Sequence, residues 1–97
     1  MVAIPRDRIA DFCRRWQVAE FSLFGSVLRD DFGPESDVDV LVRFKKGAPW
    51  SLFDLVTMQD ELEGVFGRKV HLVEAEGLRN PFRRDEIMRT REVVHAS

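Results

Sequence analysis

The segment Asp37–Phe44 constrains the fold more strongly than any other stretch of this chain. Val38, Val40 and Val42 fall on one face of an extended strand, because successive side chains of a strand point to opposite faces. The β-branched content of the segment favours the same assignment. We therefore predict a strand whose valine face is buried and whose opposite face begins with two carboxylates, at positions 37 and 39.

Helices and strands alternate along the rest of the sequence. The predicted helices are Pro5–Trp16, Val27–Asp31, a helix that follows Ser51 and ends between Gly64 and Gly67, and Arg83–Arg91; the other predicted strands are Glu20–Phe24 and Lys69–Glu74, and Val93-Val94 is either a short edge strand or an extended tail. This alternation predicts an α+β fold, a small mixed β-sheet with helices packed on one side. The length of 97 residues predicts one domain spanning residues 1–97.

Charge and composition argue against several functional classes. The net charge is −2, from 15 basic and 17 acidic residues, so the chain has no overall electrostatic preference for nucleic acid. No apolar run approaches the roughly 20 residues of a membrane span, and the first residues lack the apolar core of a signal peptide. Cys13 is the single cysteine, which we interpret as a buried structural thiol. These features predict a cytoplasmic protein that binds neither a membrane nor nucleic acid directly.

A glycine-serine pair and an aspartate pair carry the chemistry. Gly25-Ser26 ends the first predicted strand, and ten residues separate Ser26 from Asp37. Glycine allows close approach of a ligand to the backbone, and the unpaired amides of a helix start can hold phosphate oxygens. Asp37 and Asp39 repel each other unless a cation neutralises them, and Mg²⁺ accepts carboxylate, water and phosphate oxygens together. The combination predicts phosphoryl-transfer chemistry.

Arg29 lies one turn beyond Ser26 and has two interpretations. Its guanidinium has the geometry to contact a triphosphate. Alternatively, it forms a salt bridge to Asp30, Asp31 or a carboxylate of the site. The sequence does not decide between them.

Taken together, Gly25-Ser26, the spacing of ten residues and Asp37-Val38-Asp39 resemble the signature of the DNA polymerase beta type nucleotidyltransferase superfamily. The whole chain is similar to the minimal nucleotidyltransferase (MNT) domains of HEPN/MNT toxin–antitoxin pairs. The resemblance implies an antitoxin that transfers AMP from ATP to a tyrosine of a partner HEPN toxin. Carried over by position, Gly25 and Ser26 would bind the nucleotide phosphates, with Arg29 as a further candidate, and Asp37 and Asp39 would be catalytic and bind Mg²⁺.

His71 departs from the family pattern, which usually has a third carboxylate at this position. Three interpretations follow, in order of preference: a degraded site, a structural histidine, or a working substitute as general base or as ligand of a softer metal. The sequence therefore predicts a protein adenylyltransferase whose activity is weakened at His71. The alternative is a catalytically impaired binding module that neutralises the HEPN toxin by direct contact.

Two further questions stay open at this stage. The basic runs Arg6–Arg15 and Arg79–Arg91 are interpreted as solvated helix faces, with a partner-docking surface as the alternative. The exposed side of the helix Leu52–Phe66 is a second candidate docking face. A transferase that modifies a small molecule is disfavoured, because so short a chain has little surface to enclose an acceptor. A homodimer could supply that surface, and the sequence leaves a homodimer open.

Overall fold

The structure, a computed structural model, describes residues 4–29, 33 and 36–97. Within this part of the chain, three α-helices and four strands alternate, with short 3₁₀ turns after the first and third strands. They are α1 (Arg6–Arg15), β1 (Val18–Phe24), β2 (Val38–Phe44), α2 (Leu52–Phe66), β3 (Val70–Glu74), α3 (Pro81–Thr90) and β4 (Glu92–Ala96), and the 3₁₀ turns are Gly25–Leu28 and Ala75–Gly77.

The four strands form one mixed sheet in the order β3-β2-β1-β4. β1 runs antiparallel to both β2 and β4, whereas β2 and β3 are parallel. The valine-rich strand β2 is one of the two central strands, and Val38, Val40 and Val42 on its one face are fully buried. The α+β class and the small mixed sheet are confirmed, and Val93-Val94 belongs to an edge strand.

The helices divide between the two faces of the sheet. The larger core lies between the valine face of β2 and the helices α1 and α2, and includes Phe12, Phe21, Val40, Met58 and Leu62. A smaller cluster on the opposite face joins Phe24, Leu41, Ala75 and Ile87. α1 and α2 thus pack on one side as predicted, but α3 lies on the other side, because Leu41 and Phe24 leave an apolar strip there for Ile87 to cover.

Local signals account for the ends of α2. Ser51 and Asp54 form a reciprocal capping box, in which each side chain accepts a hydrogen bond from the other residue's backbone N–H. Gly67, with φ of 67°, ends the helix in the left-handed conformation. Both ends fall where the sequence predicted them. Elsewhere, β1 begins two residues earlier than predicted.

The helix predicted at Val27–Asp31 is a 3₁₀ turn that starts two residues earlier, at Gly25, and ends at Leu28. Residues 30 and 31 lie outside the described part of the chain. So short a segment has too few residues for apolar periodicity to locate it.

Two further expectations bear on the fold. Cys13 is buried, and burial raises the pKa of its thiol to about 12, which makes it a packing residue. Among the described residues, no helix combines the length and the apolar character that crossing a bilayer requires.

An ion pair between Glu20 and Arg91 ties β1 to the end of α3. Arg91 Nε lies 2.9 Å from Glu20 Oε2, and the side chains of Arg91 and Glu20 are only 21% and 17% exposed respectively. The guanidinium also donates to the carbonyl of Met88. Chiefly because of the hydrogen bond from Arg91, the pKa of Glu20 lies below its ordinary value of 4.5. The pair therefore stabilises the fold above pH 4.5, and its contribution disappears as the pH falls through the lowered pKa of Glu20.

Arg91→Met is expected to lower the free energy of unfolding at pH 7 by about 1–3 kcal/mol, because it leaves a half-buried carboxylate without its partner. The difference from the unchanged protein should shrink in acid, once Glu20 is protonated in both. Urea unfolding at pH 7 and near pH 3 measures both effects. Arg89→Met is the control, since Arg89 is 69% exposed and lies 3.9 Å from Asp85. An equal loss in the two variants would show that the Glu20–Arg91 pair contributes nothing specific.

Candidate active site

The strand pairing brings the two sequence motifs together. Phe24, the last residue of β1, is opposite Asp39 in β2, so Gly25 lies beside the Asp39 side chain. A Cβ atom on Gly25 would come within 2.5 Å of Asp39 Oδ2, and the φ of Gly25 is +73°, in the region that favours glycine. Gly25 is therefore required for two reasons: its backbone conformation and the space that the carboxylate occupies.

Asp39 is the partly buried carboxylate of the pair, whereas Asp37 is exposed just before β2. The Asp39 side chain is 23% exposed. Burial raises the pKa of Asp39 above its ordinary value, and the nearby charge of Asp37 adds to that rise. His71 and Arg83 act in the opposite direction. A nearby cation would therefore stabilise the ionised form of Asp39.

Ser26 connects the turn to the start of β2. Its hydroxyl is 3.5 Å from the carbonyl oxygen of Asp37, to which it donates a long hydrogen bond. Bonds of this length are weak, so the hydroxyl can exchange this partner for a ligand oxygen with little loss. Ser26 therefore lies beside the start of β2, close to Asp37.

His71 lies where the parallel register predicts it, directly beside Asp39. His71 Nδ1 is 3.4 Å from Asp39 Oδ1, and the imidazole is 57% exposed. The imidazole is therefore neither packed in a core nor separate from the site. A packed structural histidine is therefore ruled out, whereas a solvent-facing histidine and a ring that takes part in the site both fit this position.

The donor atoms fit a magnesium ion that takes most of its ligands from substrate and water. Across residues 4–29, 33 and 36–97, no three His, Cys, Asp or Glu side chains converge to hold a metal ion. Mg²⁺ is usually bound by one or two carboxylates together with phosphate and water oxygens, rather than by a cage of protein atoms. Asp37 and Asp39 are the two carboxylates that could serve in this way, and a bound cation would offset the burial that raises the pKa of Asp39.

A cleft of about 520 Å³ opens beside Gly25, between the 3₁₀ turn and α3. It is lined by Phe24, Gly25, Leu28, Arg29, Arg83, Glu86, Ile87 and Thr90. The cleft places Arg29 where it can reach an anion bound at Gly25. Its alternative partners Asp30 and Asp31 lie outside the described residues.

Arg83 is the site residue that the sequence analysis missed. It belongs to the run Arg79–Arg91, which was interpreted as a solvated helix face, yet it lines the cleft and its charge acts on Asp39. Two other members of the run make contacts within the chain: Arg84 donates to the carbonyl oxygen of Ala75, and Arg91 pairs with Glu20. The sequence gives no direct signal for Arg83. Because α3 buries one residue, Ile87, it has no apolar stripe that would show which face packs on the sheet.

The family model described as "Nucleotidyltransferase domain" matches residues 6–94. Protein adenylyltransferase MntA of Thermococcus cleftensis is 35% identical to this chain over 81 residues, which are 84% of this chain and 77% of the relative. The match therefore includes most of both proteins.

Two solved structures share the fold. One, provisionally described as a minimal nucleotidyltransferase, superposes with a TM-score of 0.74 at 32% identity, over 90% of this chain and 86% of that one. The other is a tri-AMPylated Shewanella oneidensis HEPN toxin in complex with MNT antitoxin, with a TM-score of 0.68 at 15% identity over 95% of this chain and 70% of that one. At 15% identity the second likeness shows the fold alone.

Proposed function

The chain belongs to the nucleotidyltransferase domain family, and from that premise we propose that it is an antitoxin that transfers AMP from ATP to a tyrosine of a partner HEPN toxin. The observation that carries the proposal is the placement of Asp39 against Gly25, with Asp37 beside it and a cationic cleft next to them. The relatives named protein adenylyltransferase support the choice of reaction. An ATP-dependent reaction and a reduced Cys13 are both compatible with the cytoplasm, where we propose that the protein works.

In this proposal, the chain's own residues bind and orient the substrates. The Gly25 backbone and the Ser26 hydroxyl hold phosphate oxygens, and Arg29 and Arg83 neutralise the negative charge along the cleft. Asp37 and Asp39 would hold Mg²⁺, which supplies charge neutralisation of the phosphates when bound. Catalysis of this kind rests mainly on positioning and electrostatics.

The proposed reaction exchanges one phosphorus–oxygen bond for another. The tyrosine oxygen of the toxin forms a bond to the α-phosphorus of ATP, the bond from that phosphorus to the bridging oxygen breaks, and pyrophosphate leaves with the electron pair. The phenolic proton passes to a base. Asp39 lies next to His71, so either the carboxylate or the neutral imidazole is placed to receive that proton.

The contact between His71 and Asp39 favours a second candidate function, neutralisation of the toxin by binding alone. An imidazole replaces the carboxylate that the family usually has here, and it is a poorer ligand than a carboxylate for a hard cation such as Mg²⁺. The binding-module alternative predicts a toxin complex that forms without ATP, without metal and with either aspartate replaced. The two functions therefore differ in whether the toxin gains mass.

His71→Asp is expected to increase AMP transfer by about tenfold or more, because a third carboxylate strengthens metal binding at Asp37 and Asp39. The measurement is intact-mass spectrometry of the proposed HEPN toxin partner, after incubation with ATP and Mg²⁺. His71→Asn is the matched control, since it removes the imidazole without adding charge.

Each outcome separates the alternatives. AMP increments from the unchanged protein would establish the adenylyltransferase. Increments from His71→Asp alone would show that position 71 disables the site, and toxin neutralisation would then rest on contact. If no variant adds AMP to the toxin but a stable toxin complex forms, the result would favour the binding module.

A further inference from the structure

The first two turns of α2 expose three large apolar side chains. Leu52 is 79% exposed, Phe53 is 86% exposed and Val56 is 59% exposed. Leu52 and Val56 also line a groove of about 360 Å³ between α2 and β3, together with Leu55, Gln59 and Leu72. We name Leu52, Phe53, Val56 and this groove the α2 patch. Contiguous apolar exposure of this kind marks interaction sites more often than single exposed residues do.

The structure distinguishes this surface from the basic run Arg79–Arg91, another candidate docking face, called here the basic tail. Arg84 and Arg91 of the tail are occupied by contacts within the chain, and Arg83 lines the nucleotide cleft. α3 has one large apolar side chain that is strongly exposed, Phe82. The α2 patch therefore offers the larger apolar surface, and it adjoins a groove in which side chains can be buried.

The edge of β3 beside the patch is closed to an added strand. The backbone N–H of Val70 donates to Glu63 Oε2 at 3.0 Å, and that of Leu72 donates to Gln59 Oε1 at 3.2 Å. These two amides are the groups that an incoming strand would use, and side chains of α2 already satisfy them. A partner must therefore bind through side chains, as a helix laid in a groove does, and not by extending the sheet.

The charged side chains that α2 itself contributes are acidic. α2 contains four carboxylates and no basic side chain. Asp54, Glu61 and Glu63 are engaged at the helix cap, with Arg15 and with the Val70 amide respectively. Asp60 remains exposed on the helix beyond Val56. The surface thus has an apolar centre with an anionic margin, which complements apolar side chains flanked by Lys or Arg.

We propose that the α2 patch docks one amphipathic helix of the HEPN toxin, with its apolar side chains in the groove and basic residues facing Asp60. This inference rests on the proposed function, which supplies the toxin as partner. An aromatic side chain such as Phe53 is the residue type that dominates binding energy at the centre of an interface. The patch binds the toxin, and the site at Asp39 modifies it.

Phe53→Ser is expected to weaken the toxin complex by about 30-fold or more, the effect of removing an interface aromatic. Phe82→Ser is the matched control, because both phenylalanines are 86% exposed near the start of a helix, and it should change the dissociation constant less than about twofold. Asp60→Lys should also weaken the complex, more at low than at high ionic strength. Calorimetric titration of the purified chain with the purified toxin measures all three, and thermal unfolding checks that each variant folds.

Other results would overturn the docking proposal. If Phe53→Ser and the unchanged protein bind the toxin equally, the α2 patch is not the interface, and the proposed function stands unaffected. If sedimentation shows a dimer of the unchanged chain that Phe53→Ser dissociates, the patch binds a second copy instead. If no variant binds or modifies the toxin, the proposed function fails as well. A Phe53→Ser protein that still binds an ATP analogue normally, but no longer the toxin, is the supporting result.

Discussion

Asp39→Asn is expected to reduce AMP transfer by about 10³-fold or more, because the variant removes the carboxylate that lies against the Gly25 turn and beside Asp37. The fold should survive. Burial raises the pKa of Asp39, so its ionised form is unfavourable in the folded chain, and a neutral amide of the same shape removes that penalty. The free energy of unfolding should therefore stay within about 1 kcal/mol of the unchanged value or rise.

Intact-mass analysis of the toxin and urea unfolding of the variant measure the two effects separately. Asp85→Asn is the control, since Asp85 is 79% exposed on α3 and has only a distant ion pair with Arg89. Transfer that persists in Asp39→Asn would remove Asp39 from the catalytic site. Loss of transfer together with loss of the fold would mean that Asp39 is structural.

Gly25→Ala is expected to lose about 10²-fold in AMP transfer, because the new Cβ would lie 2.5 Å from Asp39 Oδ2 and displace the carboxylate. The substitution also places a side chain at a φ of +73°, which costs about 1–2 kcal/mol of stability. The stability loss alone does not explain the loss of transfer in a protein that remains folded.

Gly67→Ala separates the two causes. Gly67 has a similar φ of +67°, but a Cβ at that position would meet nothing within 4 Å. Its variant should lose comparable stability, measured by urea unfolding, and keep full AMP transfer by intact mass. If the two variants lose AMP transfer equally, the backbone strain that they share explains the loss. The close approach of Gly25 to Asp39 then has no catalytic role.

Local patterns in the sequence were sufficient for much of the fold. The alternation of valines predicted the central strand, because the period of two is a property of any strand that is buried on one face. Ser51 with Asp54, and the glycine at 67, predicted the ends of α2, since helix caps depend on residues within one turn. The α+β class followed from the order of these elements.

Part of the site was also predictable from the sequence. The sequence placed Asp37 and Asp39 two residues apart at the start of the valine-rich strand, but the strand begins at Val38, one residue later than predicted, so Asp37 precedes it. The proximity of Gly25 to Asp39 had to be inferred from family resemblance, because those residues belong to different strands. The roles proposed for these residues remain predictions that the variants above test.

Long-range packing decided the remainder. The sequence does not reveal that α3 crosses the second face of the sheet, because its one buried residue, Ile87, gives no periodic signal. That crossing is what turns Arg83 toward the cleft. The contact of His71 with Asp39 depends on the parallel register of β2 and β3, and the exposure of Phe53 depends on how α2 lies over the edge of β3. Residue type and spacing thus determined the elements and their chemistry, whereas the tertiary structure determined which side chains meet, because such contacts depend on segments that are far apart in the chain.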